Sequence, residues 1–158
     1  LTEVDIRGLE ARADLYWDNG FSLIGSAAYA EGEQTTDGRR TELSSIDPVK
    51  VVAGVHYAAP SGVWGGSATV TWSGNKDRAT YNLSCGAACY LGDSFTLLDL
   101  TAYWYVTERA TLRAGAFNVF DETYGWWSDV RGLSAASTVK DAYTQPGRNF
   151  GLSLTLRL

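Results

Sequence analysis

The strongest constraint on this chain is an alternation of apolar and polar residues with a period of two. In the stretch "RNFGLSLTLRL", Phe150, Leu152, Leu154, Leu156 and Leu158 are apolar, while Asn149, Gly151, Ser153, Thr155 and Arg157 are polar or glycine. Such a pattern puts one residue set on each face of a β-strand. The same period places Phe21, Leu23, Gly25, Ala27 and Tyr29 on one face, and Trp64, Gly66, Ala68, Val70 and Trp72 on another. These two faces begin and end with an aromatic and hold small or aliphatic residues between. A soluble sandwich has no use for that arrangement, whereas a strand crossing a bilayer meets two aromatic girdles about 25 Å apart. Eight rises of about 3.3 Å, tilted by about 40°, cover roughly 20 Å of that height.

Read in this way, the chain contains seven strand-length segments, near 4–17, 21–31, 48–58, 63–73, 94–106, 109–120 and 148–158. The connections alternate in length. "DNG" at 18–20, "APSG" at 59–62 and "TE" at 107–108 are tight, and the first two carry the Gly, Asn, Asp, Pro and Ser of hairpin turns. The connections at 32–47, 74–93 and 121–147 are long. Short turns on one rim and long loops on the other predict an all-β, antiparallel up-and-down meander of the outer-membrane barrel type. The second face of the strands is polar, with Glu10, Arg12, Asp14, Lys50, His56, Asp99, Thr101, Tyr103 and Arg113, as a wet lumen requires. An odd strand count leaves the first strand descending toward the short-turn rim, so further strands are expected upstream. Two edges left open in lipid would strand backbone groups at several kcal/mol each.

Composition narrows the functional classes. Six Trp, nine Tyr and five Phe accompany seventeen Gly and no Met, a bias toward strands and turns. A net charge of −5 with dispersed Lys and Arg excludes a nucleic-acid surface, which needs clustered cations. No run approaches the roughly 18 apolar residues of a membrane helix. Enzyme motifs are missing: there is no G-x-S-x-G, no H-E-x-x-H and no phosphate-binding glycine loop, and His56 is the single histidine. Cys85 and Cys89 share a polar, glycine-containing loop. With no second cysteine pair, their C-x3-C spacing fits a small loop-stapling disulfide in an oxidising compartment better than a metal site or two free thiols.

The residues "LLDLTAYWYVTERATLRAGAFNVFDETYGWW", followed by "DAYTQPGRNFGLSLTLRL", resemble the C-terminal end of TonB-dependent outer-membrane receptors. "NVFDETY", with Asn118, Phe120, Asp121 and Tyr124, is similar to the motif that ends the penultimate strand of that family. Pro146, Gly147 and Arg148 are similar to the residues opening its final strand. "TLRAGAFNVFD", "WWSDVRGL" and "DAYTQPGRNF", in that order, resemble the haem and haemoglobin receptor branch. Most of this likeness lies in the last sixty or so residues.

The resemblance implies the C-terminal portion, residues 1–158, of a 22-stranded barrel in the bacterial outer membrane. Its plug, TonB box and signal peptide would lie outside this chain. It implies outer-membrane lipid, the remaining strands and plug, TonB and a haem protein such as haemoglobin as partners. Haem would be cargo of the intact receptor, with its ligands upstream and no cofactor bound by this portion. A siderophore or other chelate receptor, or a passive porin-like barrel, remains the alternative. Receptors of this family commonly end in an aromatic, whereas Leu158 stands here. His56 falls on the inward face near a short turn, a poor place for an axial ligand. In the last long connection, Trp126 and Trp127 fit an outer girdle. Alternatively, with Asp129, Arg131 and Tyr143, they make the aromatic and arginine mixture of a partner contact.

Overall fold

The computed structural model describes residues 2–76, 85 and 88–157. Leu158 lies outside the described residues, as do residues 77–84, 86 and 87 of the second long connection. The chain forms one antiparallel sheet of eight strands. These are β1 (Thr2–Tyr16), β2 (Phe21–Thr36), β3 (Arg39–Glu42), β4 (Lys50–Ala58), β5 (Trp64–Ser73), β6 (Phe95–Thr107), β7 (Ala110–Phe117) and β8 (Asn149–Leu156). Seven of them run in the order β1-β2-β4-β5-β6-β7-β8, and β3 branches from β2. Two helical elements follow in the last connection, a single turn, α1 (Trp127–Val130), and a 3₁₀ turn, Lys140–Tyr143.

The meander matches the alternation of the sequence, and its register keeps the two faces apart across the whole sheet. One row reads Leu15, Leu23, Val55, Ala68, Leu100, Ala116 and Phe150 from β1 to β8. The adjacent row, on the other face, reads Tyr16, Ser22, His56, Ser67, Thr101, Gly115 and Gly151. A slip of one residue would exchange the two sets, so the pattern itself fixes the register. On the apolar face Leu9, Phe150 and Leu152 are 73%, 77% and 76% exposed. Side chains of this kind, exposed in a continuous band, make a surface no water-soluble monomer presents.

Two turns show why the short rim is tight. Gly20, at φ 89°, closes the β1–β2 turn, and a Cβ there would sit 2.1 Å from the carbonyl oxygen of Ala58. Gly62, at φ 70°, does the same for β4–β5, with its N–H donating to the carbonyl of Ala59. Aromatic rings then line this rim on the apolar face. Phe21 and Tyr57 lie 4.7 Å apart, and Tyr57 and Trp64 lie 5.2 Å apart, centroid to centroid.

The structure changes the reading of the first long connection. β2 runs to Thr36 rather than stopping near 31, and turns at Asp37 (φ 50°) and Gly38 (φ 79°) into β3. Two successive left-handed residues are the requirement of a type I′ hairpin, and Asp-Gly is its preferred pair. The described residues therefore hold eight strands, not seven, although seven of them still make the wall. The upper half of β2 pairs only with β1 and β3, so this ribbon projects past the rest of the sheet. Its charges, such as Arg7 with Asp5 at 3.1 Å and Arg40 with Glu33, begin where the apolar band ends at Tyr29.

Candidate functional site

At the long-loop end, the residues after β7 turn back into the sheet. The sixth segment stops at Phe117, three residues earlier than its alternation predicts, because Asn118 adopts φ 49° and cannot continue a strand. Asn118 is 3% exposed and uses its whole amide. Its Oδ1 accepts from the N–H of Glu122 at 2.9 Å, and its Nδ2 donates to the carbonyls of Glu122 (2.8 Å) and Pro146 (3.3 Å). Its backbone N–H donates to Oδ1 of Asp99 on β6 at 2.8 Å. A buried amide satisfied in this way stabilises one loop geometry, whereas an unsatisfied one would cost the full desolvation of the group.

Asp121, also left-handed at φ 58°, completes the knot. Its Oδ1 accepts from the backbone N–H of Arg148 at 2.7 Å, and the Arg148 guanidinium lies 3.8 Å from its other oxygen. A Cβ at Gly147 would lie 2.9 Å from that same Oδ1. The two motif fragments thus meet: Asn118 and Asp121 hold the chain leaving β7, and Pro146, Gly147 and Arg148 hold the chain entering β8. Phe120, between them, is 61% exposed. The spacing of these residues in the sequence marks a structural closure of the last hairpin.

Between the two halves of the knot, the last loop folds over the polar face. Tyr124 and Trp126 pack on Phe95 at the start of β6, with ring centroids 4.6 and 5.1 Å from it. Lys50, the first residue of β4, places its ammonium 4.3 Å above the Trp126 ring. Burial pushes the Tyr124 hydroxyl pKa up, and the nearby charge of Asp99 pushes it further. Trp127 is 5% exposed and donates its indole N–H to the carbonyl of Ser44 in the first long connection at 2.8 Å. The loop turns inward, so that Trp126 packs on Phe95 and Trp127 is buried against a second loop.

The second connection joins the same cap. Cys85 and Cys89 are bonded, with Cα atoms 5.0 Å apart. Cys89 pairs with Ser134, while the N–H of Tyr90 donates to the carbonyl of Leu133 and that of Ala135 to the carbonyl of Ala88, each at 2.8 Å. Asp129, Arg131 and Tyr143 remain exposed, and Asp129 accepts from Nε2 of Gln145 at 2.9 Å. Beside the cap, a cleft of about 460 Å³ lies between the β1–β3 ribbon and the first long connection, lined in part by Asp5, Arg7, Glu33, Arg40 and Asp47. No group of three or more His, Cys, Asp or Glu residues able to hold a metal occurs among the described residues. His56 sits opposite Ser22 and Ser67 on the polar face, close to the short-turn rim.

What the sequence did not disclose is this joining of three loops. The Asp-Gly pair at 37–38 was a readable signal for β3. The pairings of Trp127 with Ser44 and of Cys89 with Ser134 connect residues far apart in the chain and leave no local pattern.

An open meander with an exposed apolar face, short turns at one end and loops folded onto the polar face at the other defines a segment of a membrane β-barrel wall. A family profile described as TonB dependent receptor-like, beta-barrel, matches residues 2–119. The chain belongs to the TonB-dependent receptor family. It is 29% identical over 140 residues to transferrin-binding protein A of Neisseria gonorrhoeae, an alignment covering 75% of this chain and 15% of that protein. It is 28% identical over 180 residues to the hemoglobin and hemoglobin-haptoglobin-binding protein of Haemophilus ducreyi, covering 92% of this chain and 18% of the relative. Among solved structures, the copper transporter OprC superposes with a TM-score of 0.76 at 23% identity, covering 97% of this chain and 23% of OprC. The chain therefore spans less than a fifth of the curated relatives named here.

Proposed function

We propose that these residues form wall and outer loops of a TonB-dependent receptor in the bacterial outer membrane that takes up haem, free or from haemoglobin. The observation that carries this reading is the alignment with the hemoglobin-binding relative, which extends over 92% of the chain and so includes the inward-folded cap as well as the strands. β1 and β8 are the two ends of the strand order and do not pair with each other. Further strands of the same receptor complete the barrel, because edges left open in lipid are too costly to persist, and a plug of the same receptor occupies its lumen. The polar face lines the lumen, and Asp129, Arg131 and Tyr143 face the medium where a haem protein docks. Relatives of this chain carry the names of binding proteins and transporters, which points away from catalysis.

A second reading is uptake of iron from transferrin, favoured by the 29% identity to transferrin-binding protein A over a shorter part of the chain. Growth of an iron-starved host carrying the full-length receptor separates the two. Haem or haemoglobin should restore growth only when TonB is present. Growth on transferrin iron or a siderophore but not on haem would overturn the haem reading, and growth independent of TonB would overturn energy-coupled uptake.

A further inference from the structure

Besides its packing on Phe95 and Lys50, the last loop is tied by hydrogen bonds to two other connections. One tie is the Trp127 indole on the Ser44 carbonyl. The other is the short ladder between Ala88, Cys89 and Tyr90 and residues Leu133, Ser134 and Ala135, which has two backbone hydrogen bonds among the described residues. A ribbon that small does not hold itself together in water, so something must fix its edges in advance.

On one side that is the Cys85–Cys89 bridge. It ties Cys89 to Cys85, whose carbonyl accepts from the N–H of Ala88 at 3.0 Å, and it leaves the carbonyl of Ala88 and the N–H of Tyr90 as a preset edge. Cys89 itself is 6% exposed, so the bridge is part of the contact and not an ornament on its surface. On the other side, Gly132 at φ 89° turns the chain out of α1 and lets the N–H of Leu133 donate back to Val130 at 3.1 Å. Lys140 closes the far side, donating to the carbonyl of Ala135 at 3.0 Å while lying 5.1 Å above the Tyr90 ring.

We infer that the Cys85–Cys89 disulfide is a clasp for the final loop: the folded-in position of residues 131–144 depends on the bridge, while the barrel wall does not. The hydrogen bonds of the knot around Asn118 and Asp121 run to Asp99, Glu122, Pro146 and Arg148. Opening the clasp thus loosens residues 131–144, while Trp127 on Ser44, the rings on Phe95, and β7 and β8 stay in place. The clasp makes the position of this loop over the polar face sensitive to thiol chemistry.

The experiment is hydrogen exchange on the folded full-length receptor in detergent, before and after treatment with dithiothreitol. The reagent donates two electrons and two protons, converts the bridge to two thiols and becomes its own cyclic disulfide; alkylation of both thiols confirms the step. Removing so short a cross-link should speed exchange of the Tyr90 and Ala135 amides about tenfold. Peptides from β7 and β8 should exchange at their former rate. The Cys85→Ser, Cys89→Ser double variant should reproduce the reduced pattern without any reagent. Equal exchange with the bridge open and closed would overturn the clasp, and so would loosening of β7 and β8 together with the loop.

Discussion

The two ends of this sheet use the same residue types for opposite purposes. At the short-turn end, Phe21, Tyr57 and Trp64 touch one another on the outside of the sheet, with Trp64 51% exposed. At the long-loop end, Phe95, Tyr124 and Trp126 touch one another on the inside, and Trp127 is buried beside them. The difference lies in what surrounds each ring. A strand aromatic follows the period of its strand and is committed to a face before any tertiary contact forms. A loop aromatic has no such period and goes where a cavity of matching shape and a hydrogen-bond acceptor await it.

This contrast is broken or sharpened most strongly by tryptophan replacement. Trp127→Ala removes a buried ring and the indole donor to Ser44, and should cost the cap about 3–5 kcal/mol; limited proteolysis of the intact receptor should then cut within 124–145. Trp64→Ala, on the outside, should change stability in detergent by about 1 kcal/mol or less. Equal effects of the two would mean that the ends are not different in kind. The apolar face provides the next test. Leu154→Arg should destabilise the membrane-embedded barrel by about 2–4 kcal/mol, whereas Ser153→Arg, one residue away on the polar face, should be nearly neutral. Urea unfolding in lipid vesicles measures both, and similar penalties would contradict a lipid-facing band.

Asn118 comes third. Gly at this position tolerates φ 49° but removes all three side-chain hydrogen bonds, so Asn118→Gly should cost about 2–3 kcal/mol through the knot alone. Asn118→Ala adds backbone strain of about 1 kcal/mol. If the two variants unfold alike, the left-handed backbone is not part of what Asn118 supplies.

The same contrast explains how much of the molecule was legible from sequence. The wall was readable because each strand repeats one decision, in or out, over eight or more residues; the row from Leu15 to Phe150 is that decision made seven times. Strand ends were less so. β7 ends at Asn118 because of a backbone conformation, and alternation carries no trace of it. The motif residues were visible as a likeness, but their role as a closure of the last hairpin emerged only when Pro146 and Arg148 were found against Asn118 and Asp121. Trp126 and Trp127 were visible as a pair, and their direction was not, because Ser44 and Lys50, which decide it, are more than seventy residues away.

The smallest predicted effect concerns the loop edge at Tyr90. Burial, together with the hydrogen bond to Asp93 and that residue's charge, pushes the Tyr90 hydroxyl up to about 12 from an ordinary value of 10.0. The folded state therefore favours the neutral phenol. Its contribution is fully present below pH 10, where the unfolded chain keeps its proton too, and is lost as pH rises toward 12. Between those values the segment that pairs with Leu133 and Ala135 should loosen. Phenolate absorbance followed with loop exchange in the intact receptor should reveal a late-titrating tyrosine whose ionisation accompanies loss of protection at Ala135. In Tyr90→Phe the late component that accompanies loss of protection at Ala135 should vanish, while that of Tyr124, also raised, remains. Persistence of the component linked to Ala135 would place the elevated group elsewhere.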